Sequence, residues 1–367
     1  MPIPHTSGAT GAAYARRSGP GLLLALAWPV LKLASLFLAR RRGEPGTLLV
    51  FQAYQVGDLY MALPALELLA RHTRVTVACR PGCEGVLRGR GLEALPFPHP
   101  AFASSAPSAW SAGLRAARAL RGRASRCGEA LDLNGDPRTA LMLKAAGCAR
   151  TLSYRRPFAW FFDETFPIAP AGPHQGDKDW AVAAAWLARQ GISAPPQPIP
   201  SAAPEAGAPL LLSCWTRKPE KNWQLERWEA VLEYLTAAGR PFAILDAPDG
   251  DAAFAAFRAR WKDRARFLSA DLSGVEDAVR GCAGVIGLDN FLGHMAASLG
   301  KPVLWINGSS DVDLVAPRGP ATAVVQVDPM PCRPCGHRCV NPINLECLRA
   351  LPPAAVLDRL RTGWPGR

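Results

Sequence analysis

The stretch between residues 283 and 311 places the strongest constraint on the fold. It contains two short apolar runs on either side of a helix rich in small residues, and a polar loop follows each run. Apolar runs that alternate with a helix predict a parallel α/β unit. In such sheets, ligands bind beyond the carboxyl ends of the strands, where the loops enter the helices. Both polar loops are therefore predicted to face a ligand.

Asp289, Asn290 and His294 are the candidate binding residues in the first of these loops and the helix after it. The N-terminus of a helix presents free N–H groups and a partial positive charge, which favours a bound diphosphate. The alternative is an ordinary crossover in which Asp289 only caps the helix. The local pattern does not decide between the two interpretations.

An earlier stretch has the same strand, loop and helix order and places Asp58 in its loop. The strand begins at Thr47, and the helix that follows Gly57 is apolar at helical spacing. No G-x-G-x-x-G is present, which argues against an oxidoreductase that uses a dinucleotide. Asp58 either caps the helix or projects into a cleft, where a carboxylate can act as a general base.

A third loop of this type gathers cationic side chains. It follows an apolar run at 209–215, contains Thr216, Arg217 and Lys221, and leads into an amphipathic helix. Cations between a strand and a helix suit a diphosphate ligand. A solvated, charged surface loop is the alternative interpretation.

The length of 367 residues favours two domains. A run rich in Pro, Ala and Gly at 191–209 predicts the linker between them. We therefore predict one Rossmann-like domain at 46–190 and another at 210–367, which ends in a Cys-rich segment at 332–347. Residues 1–45 are predicted to form a disordered start and a membrane-associated helix.

The apolar run at 22–39 is flanked by arginines on both sides. It is slightly short for a spanning helix, and it contains Pro29 and Lys32. This pattern favours a helix that lies on an acidic membrane surface. A transmembrane anchor and a packed N-terminal helix are the alternatives. The predicted location is cytoplasmic, peripheral on the inner face of the inner membrane.

The net charge of +12 lies almost entirely in the first 150 residues. Such asymmetry predicts an anionic partner for the first domain, either acidic lipid or an anionic acceptor. The sequence has no RNP, zinc-finger or basic-zipper pattern, so nucleic acid is not an expected partner.

Four of the ten cysteines cluster near the end of the chain as C-x2-C-x3-C-x7-C. They are Cys332, Cys335, Cys339 and Cys347. The spacing predicts a structural zinc or iron site, because tetrahedral thiolate sites hold either metal. Reduced thiols or local disulfides are the alternative.

Three segments carry a resemblance to a known family. They are V-G-D-L-x-x-A-L-P-A-L at 56–66, K-x-W at 221–223, and the stretch at 289–302 with its D, H, A-A, G and P. Together they resemble the signatures of the heptosyltransferase family, which is glycosyltransferase family 9. The family has a glycine where this chain has Phe291, a departure that is expected to hinder close approach of the backbone to a phosphate.

The resemblance implies an α/β fold of the GT-B type, in which two Rossmann-like, doubly wound domains face a cleft. It implies an inverting transfer of a heptose from an ADP-sugar to an anionic acceptor such as the inner core of lipopolysaccharide, with no catalytic metal. Asp58 would be the base. The residues implied in binding the nucleotide sugar are Thr216, Arg217, Lys221, Asp249, Asp289, Asn290 and His294, with Asp246 and Asp251 competing with Asp249 for the ribose.

The resemblance also implies an acceptor site that includes Gly57, Asn134 and Arg138. One branch of the family modifies autotransporter proteins and is associated with iron, so a transferase that glycosylates protein serine is an alternative linked to the cysteine cluster. The other alternative is a catalytically silent protein that binds sugar nucleotides, and Phe291 is the residue that favours it.

Overall fold

The computed structural model describes part of the chain. It covers residues 43–364, apart from 100–112, 114, 119, 120, 125, 157, 158, 203–206 and 336–338. The predicted disordered start and the apolar run at 22–39 lie outside the described residues. Of the helices that are described, none is long and apolar enough to cross a membrane.

The first sheet has six parallel strands in the spatial order β3-β2-β1-β4-β5-β6. Its strands are β1 (Glu44–Gln52), β2 (Arg74–Cys79), β3 (Leu92–Pro96), β4 (Cys127–Asp132), β5 (Thr151–Tyr154) and β6 (Glu164–Phe166).

The second sheet also has six parallel strands, in the order β12-β11-β10-β7-β8-β9. Its strands are β7 (Leu210–Ser213), β8 (Phe242–Leu245), β9 (Arg266–Leu268), β10 (Gly284–Leu288), β11 (Val303–Ile306) and β12 (Thr322–Val325). In both sheets the first strand lies at the centre and the fourth strand lies beside it, which is the order of a Rossmann fold.

Helices connect the strands in both halves. They include α1 (Val56–Ala70), α2 (Glu84–Leu87), α3 (Arg121–Ala124), α4 (Pro137–Ala145), α5 (Gln175–Ala188), α6 (Leu225–Ala237), α7 (Ala252–Trp261), α8 (Leu272–Arg280), α9 (Phe291–Ser298), α10 (Val312–Val315), α11 (Glu346–Arg349) and α12 (Pro353–Arg361).

Strand β1 shows why the sheets are covered on both faces. Its side chains alternate between two apolar clusters, with Leu48 and Val50 in one and Leu49 and Phe51 in the other. All four are buried. A strand of a parallel sheet with helices on both sides has this near-continuous apolar sequence.

The strand order fixes where a ligand can bind. In the first sheet, β2 and β3 are added on one side of β1, and β4 to β6 are added on the other side. The same reversal occurs in the second sheet between β7 and β10. A crevice opens outside the carboxyl ends of the strands at such a switch point. The loops at these two points, and the helix starts that follow them, carry Asp58, Asn134, Thr216 and Asp289, which are all among the predicted site residues.

The two halves share one apolar core. Helix α1 packs against α9, and Leu63 of α1 belongs to the same buried cluster as Leu292 and Met295 of α9. Ion pairs also join the halves. The guanidinium of Arg90 lies 3.2 Å from a carboxylate oxygen of Glu276. The two sheets are therefore held at a defined separation by packed side chains.

The segment that connects the halves docks on the second one. Residues 192–202 contain neither helix nor strand, and the Ala202 N–H donates to the Gly300 carbonyl at 2.9 Å. Gly300 has a φ of +73°, and a Cβ added to it would lie 2.6 Å from the Ala202 nitrogen. The backbone approach of the connecting segment therefore requires glycine at this position.

We expect Gly300→Ala to destabilise the protein more than Gly239→Ala. Both glycines have a left-handed backbone, but nothing lies within 4 Å of a Cβ at Gly239. Gly239→Ala should cost about 1–2 kcal/mol through backbone strain alone. Gly300→Ala should add the cost of displacing the connecting segment. Thermal melting of the two variants checks this, and equal melting temperatures would contradict it.

Candidate active site

Asp58 lies at the start of α1, where one carboxylate oxygen serves the helix. Its Oδ2 accepts a hydrogen bond from the Gln55 N–H at 3.1 Å, and the Gln55 side chain completes a capping box. Its Oδ1 has no hydrogen-bond partner among the described residues. The capping and catalytic interpretations are therefore compatible, because one oxygen is held while the other remains available.

Burial raises the pKa of Asp58 above its usual value. The Gln55 hydrogen bond opposes that rise, and so do the ammonium groups of Lys178, Lys218 and Lys221. Lys178 belongs to α5 of the first domain, whereas the other two belong to the loop between β7 and α6. Asp58 therefore faces cations of the second domain across the cleft.

Gly57 of α1 lies close to His294 of α9. A Cβ added at Gly57 would lie 2.8 Å from Cδ2 of His294. His294 is 7% exposed, and burial lowers its pKa to about 4, so the ring is neutral at physiological pH. Its Nδ1 is buried without a hydrogen-bond partner among the described residues. The missing side chain at Gly57 thus lets α1 touch α9.

Asp289 is buried at the end of β10 and is paired with Lys221. The Lys221 Nζ lies 2.5 Å from Asp289 Oδ2, and the Ser310 hydroxyl donates to the same oxygen. Burial alone would raise the pKa of Asp289. The ammonium and the hydrogen bonds outweigh that effect and hold the pKa below its usual value. Asp289 is therefore a fixed anion that orients the lysine.

The oxygen and the nitrogen of the Asn290 side-chain amide both make hydrogen bonds within the protein. Its Oδ1 accepts from the Leu292 N–H at 3.0 Å and so caps α9. Its Nδ2 donates to the Ser213 hydroxyl at 2.6 Å, which joins the ends of β10 and β7. Phe291, which stands where the family has glycine, begins α9, and its half-buried side chain packs against the shared core.

The loop after β7 is closed by Asn222, a residue that the sequence analysis did not single out. The Asn222 amide accepts from the Thr216 N–H at 2.7 Å and donates to the Thr216 carbonyl at 2.9 Å. The Thr216 hydroxyl donates to the Lys218 carbonyl at 3.0 Å. These bonds hold the loop in a single turn that presents Lys218 and Lys221 to the cleft.

Arg217 and Asp249 are predicted donor contacts that pair with each other. The Arg217 guanidinium donates to the Asp249 carboxylate, and both side chains are exposed. The two competing carboxylates have other roles: Asp246 pairs with Arg258 at 3.2 Å, and Asp251 caps α7. Of the three carboxylates, only Asp249 pairs with a loop cation of the predicted donor site.

Asn134 is the centre of a polar network on the opposite wall. Its Nδ2 donates to Gln52 Oε1 at 2.6 Å, and its Oδ1 accepts from Lys178 Nζ at 3.2 Å. Arg138 is bound to the neighbouring Asp136 carboxylate, with Nη2 2.5 Å from Oδ2. Asn134 thus contacts Lys178, one of the cations that act on Asp58, whereas Arg138 is paired with Asp136 at the start of α4.

The C-terminal cysteines lie near one another in the structure. The pKa values of Cys335 and Cys347 are raised, first by burial and then by the neighbouring thiols. Within the described residues, however, no group of three or more His, Cys, Asp or Glu could hold a metal ion. The prediction of zinc or iron at these residues, Cys332, Cys335, Cys339 and Cys347, finds no support in the structure.

Two parallel sheets of Rossmann order that face a common cleft define a fold of the GT-B type. The family model of glycosyltransferase family 9 (heptosyltransferase) matches residues 115–342, and the chain belongs to this family. No curated protein matches the sequence. The predicted fold and family are confirmed.

Solved structures share the fold at low sequence identity. E. coli heptosyltransferase WaaC with ADP-2-deoxy-2-fluoro heptose has a TM-score of 0.65 at 17% identity, over 86% of this chain and 99% of that one. E. coli ADP-heptose lipopolysaccharide heptosyltransferase II has a TM-score of 0.64 at 18% identity, over 86% and 98%. TibC, an iron-containing dodecameric glycosyltransferase from enterotoxigenic E. coli, has a TM-score of 0.52 at 14% identity, over 88% and 76%.

We expect Gly57→Ala to destabilise the contact between α1 and α9. The added methyl group would overlap His294 and force the helices apart, at a cost of about 1–3 kcal/mol. The same substitution should cost less in a His294→Ala background, because the ring has been removed. Melting temperatures of the two single variants and the double variant check this. An equal cost of Gly57→Ala in both backgrounds would contradict it.

Proposed function

We propose that this glycosyltransferase moves a heptose from an ADP-sugar to an anionic acceptor, with inversion at the anomeric carbon. The observation that carries the proposal is the position of Asp58, which lies within electrostatic reach of Lys218 and Lys221 of the opposite domain. A base on one wall and cations on the other suit a reaction in which an acceptor loses a proton and a donor releases a diphosphate. The similar fold of WaaC bound to an ADP-sugar supports the choice of donor.

In the proposed step, Asp58 Oδ1 accepts the proton of the acceptor hydroxyl while that oxygen bonds to the anomeric carbon. The bond between this carbon and the phosphate oxygen breaks, and its electron pair leaves with ADP. The Gln55 N–H holds the other carboxylate oxygen. A base that is held in one orientation loses little entropy in the transition state.

The negative charge that develops on ADP would be met by Lys218 and Lys221. Asp289 and Ser310 fix the Lys221 ammonium in advance, so little reorganisation is needed at the moment of reaction. We therefore propose Asp289 as a positioning residue. The remaining proposed contacts of the nucleotide sugar are Thr216, Arg217, Asp249, Asn290 and His294.

The acceptor would bind against the first domain, with Gly57, Asn134 and Arg138 among its contacts. The positive charge of this part of the sequence suits an anionic acceptor, and the inner core of lipopolysaccharide is the one we propose. In this division of labour, residues 46–190 bind the acceptor, residues 210–367 bind the donor, and 191–209 connect them. We propose a peripheral location at the inner membrane, where such an acceptor is held.

The fold of TibC supports a second candidate, in which the acceptor is a serine of a protein. A third candidate is a protein that binds the donor without turnover. Phe291 favours it, because this side chain stands where the family has glycine at the start of α9. The first two candidates both release ADP from the donor, but one requires an oligosaccharide acceptor and the other a protein serine. The third candidate releases no ADP.

Transfer from ADP-heptose to a deacylated core oligosaccharide should release ADP, and Asp58→Asn should reduce the rate by about 100- to 10,000-fold. The amide keeps an acceptor for the Gln55 N–H but cannot take the proton. ADP release and calorimetric binding of the donor are the measurements. Donor affinity should be unchanged in the variant.

The matched control is Asp271→Asn, because the Asp271 carboxylate also accepts a backbone N–H, from Gly274 at 2.9 Å, but is exposed at the start of α8. It should leave the rate unchanged. Donor binding without release for any acceptor would favour the silent protein, and release only with a serine-containing peptide would favour protein glycosylation. Full activity of Asp58→Asn would overturn the mechanism.

As the pH is lowered, kcat/KM should begin to fall at a pH above the ordinary pKa range of an Asp carboxyl. Asp58 must be deprotonated to act as a base, and burial raises its pKa. Activity is therefore lost as the pH falls through this raised value. A profile from about pH 4 to about pH 9 checks this. The residual activity of Asp58→Asn should lack the acid limb, and an acid limb that persists in this variant would assign it to another group.

A further inference from the structure

Asp179 is a buried carboxylate near the candidate base that has no role in the proposed reaction. Asp179, in the first turns of α5, is 0% exposed. Its Oδ1 lies 3.1 Å from both Gln175 Nε2 and Lys178 Nζ. Its Oδ2 is buried without a hydrogen-bond partner among the described residues.

Stability of the fold does not explain this arrangement. An unpaired oxygen of a buried carboxylate costs free energy, and buried polar groups in folded proteins are normally satisfied. Asp163, the other acid that pairs with a buried lysine in the first domain, shows the contrast. One of its oxygens accepts from Lys144 at 2.9 Å, and the other accepts from both the N–H and the hydroxyl of Thr151.

Asp179 pairs with Lys178, which has the strongest electrostatic effect on Asp58 of the three nearby lysines. Lys178 Nζ is held between Asp179 Oδ1 and Asn134 Oδ1, at 3.1 and 3.2 Å. Of the three ammonium groups that oppose the raised pKa of Asp58, that of Lys178 has the largest effect. An ammonium has three N–H donors. One of the three N–H groups is therefore used by neither Asp179 nor Asn134 and is available to an acceptor molecule.

We propose that Asp179 is a positioning residue of the transfer reaction, which holds the Lys178 ammonium between the Asn134 side chain and the Asp58 carboxylate. Lys178 then acts on the Asp58 carboxylate through its charge, and Asp179 acts through Lys178. The buried Asp179 carboxylate destabilises the fold, but it fixes the Lys178 ammonium on the acceptor side of Asp58. This inference rests on the proposed function, because it assigns Asp58 as the base.

The charges around Asp58 set the direction of the expected effect. The titratable groups that face it from the elements packed around α1 are Lys178 and Asp179 of α5, Lys218 and Lys221 of the loop after β7, and the neutral His294 of α9. Burial is the main cause that raises the pKa of Asp179 to about 6, and the charge of Asp58 adds to it, so the two carboxylates repel each other. Removal of the Asp179 charge should therefore lower the pKa of Asp58.

The experiment compares Asp179→Asn, Lys178→Gln and the double variant in the transfer assay with ADP-heptose and the core oligosaccharide. Asp179→Asn should lower kcat on the order of tenfold, because the ion pair that orients Lys178 is lost and Asp58, without the neighbouring anion, becomes a weaker base. It should move the acid limb of kcat/KM down by about one pH unit, whereas Lys178→Gln should move it up. In the double variant, the loss of Asp179 should add little to the loss of Lys178.

The matched control is Asp163→Asn, which removes the acid of a buried lysine pair away from the cleft. It should lower the melting temperature and leave the acid limb in place. Carbon-13 NMR titration of the Asp58 carboxyl in Asp179→Asn gives a second readout that needs no turnover.

An unchanged Asp58 titration in Asp179→Asn, or fully additive rate losses in the double variant, would overturn the proposal. Failure of the proposed function would look different, because Asp58→Asn itself would then remain active.

Discussion

The contact between α1 and α9 is the constraint on which the rest of the site depends. Gly57 has no side chain, so the first turn of α1 lies against His294, and apolar residues behind it continue the core from one half to the other. The same turn carries Asp58. The packing that fixes the separation of the two sheets therefore also sets the distance between the base of one domain and the cations of the other.

Two carboxylates of the cleft have opposite pKa shifts for a clear reason. Both Asp58 and Asp289 are desolvated, which raises a carboxyl pKa. Asp289 is in direct contact with Lys221, so its pKa falls below the usual value. Asp58 has only more distant ammonium groups, so its pKa remains raised. This difference suits a fixed anion in the donor site and a proton acceptor in the acceptor site.

Several parts of the site could be predicted from the sequence because they follow a strand. Asp58, Asn134 and Asp289 each come shortly after an apolar run, and the carboxyl ends of parallel strands meet at one edge of a sheet. The ion pairs between these side chains could not be predicted in this way. Nothing in the spacing shows that Lys221 binds Asp289 or that Arg217 binds Asp249, because these contacts join separate loops of the second domain.

The sequence by itself determined the class of fold, the family and the strand ends that carry the site, because hydrophobic periodicity and short motifs are local properties. Only the tertiary structure decided which charges meet. Asp179 belongs to none of the sequence motifs, and its burial beside Lys178 depends on the packing of α5 against α1. Burial and electrostatic coupling arise between segments that are distant in the chain, so no local pattern contains them.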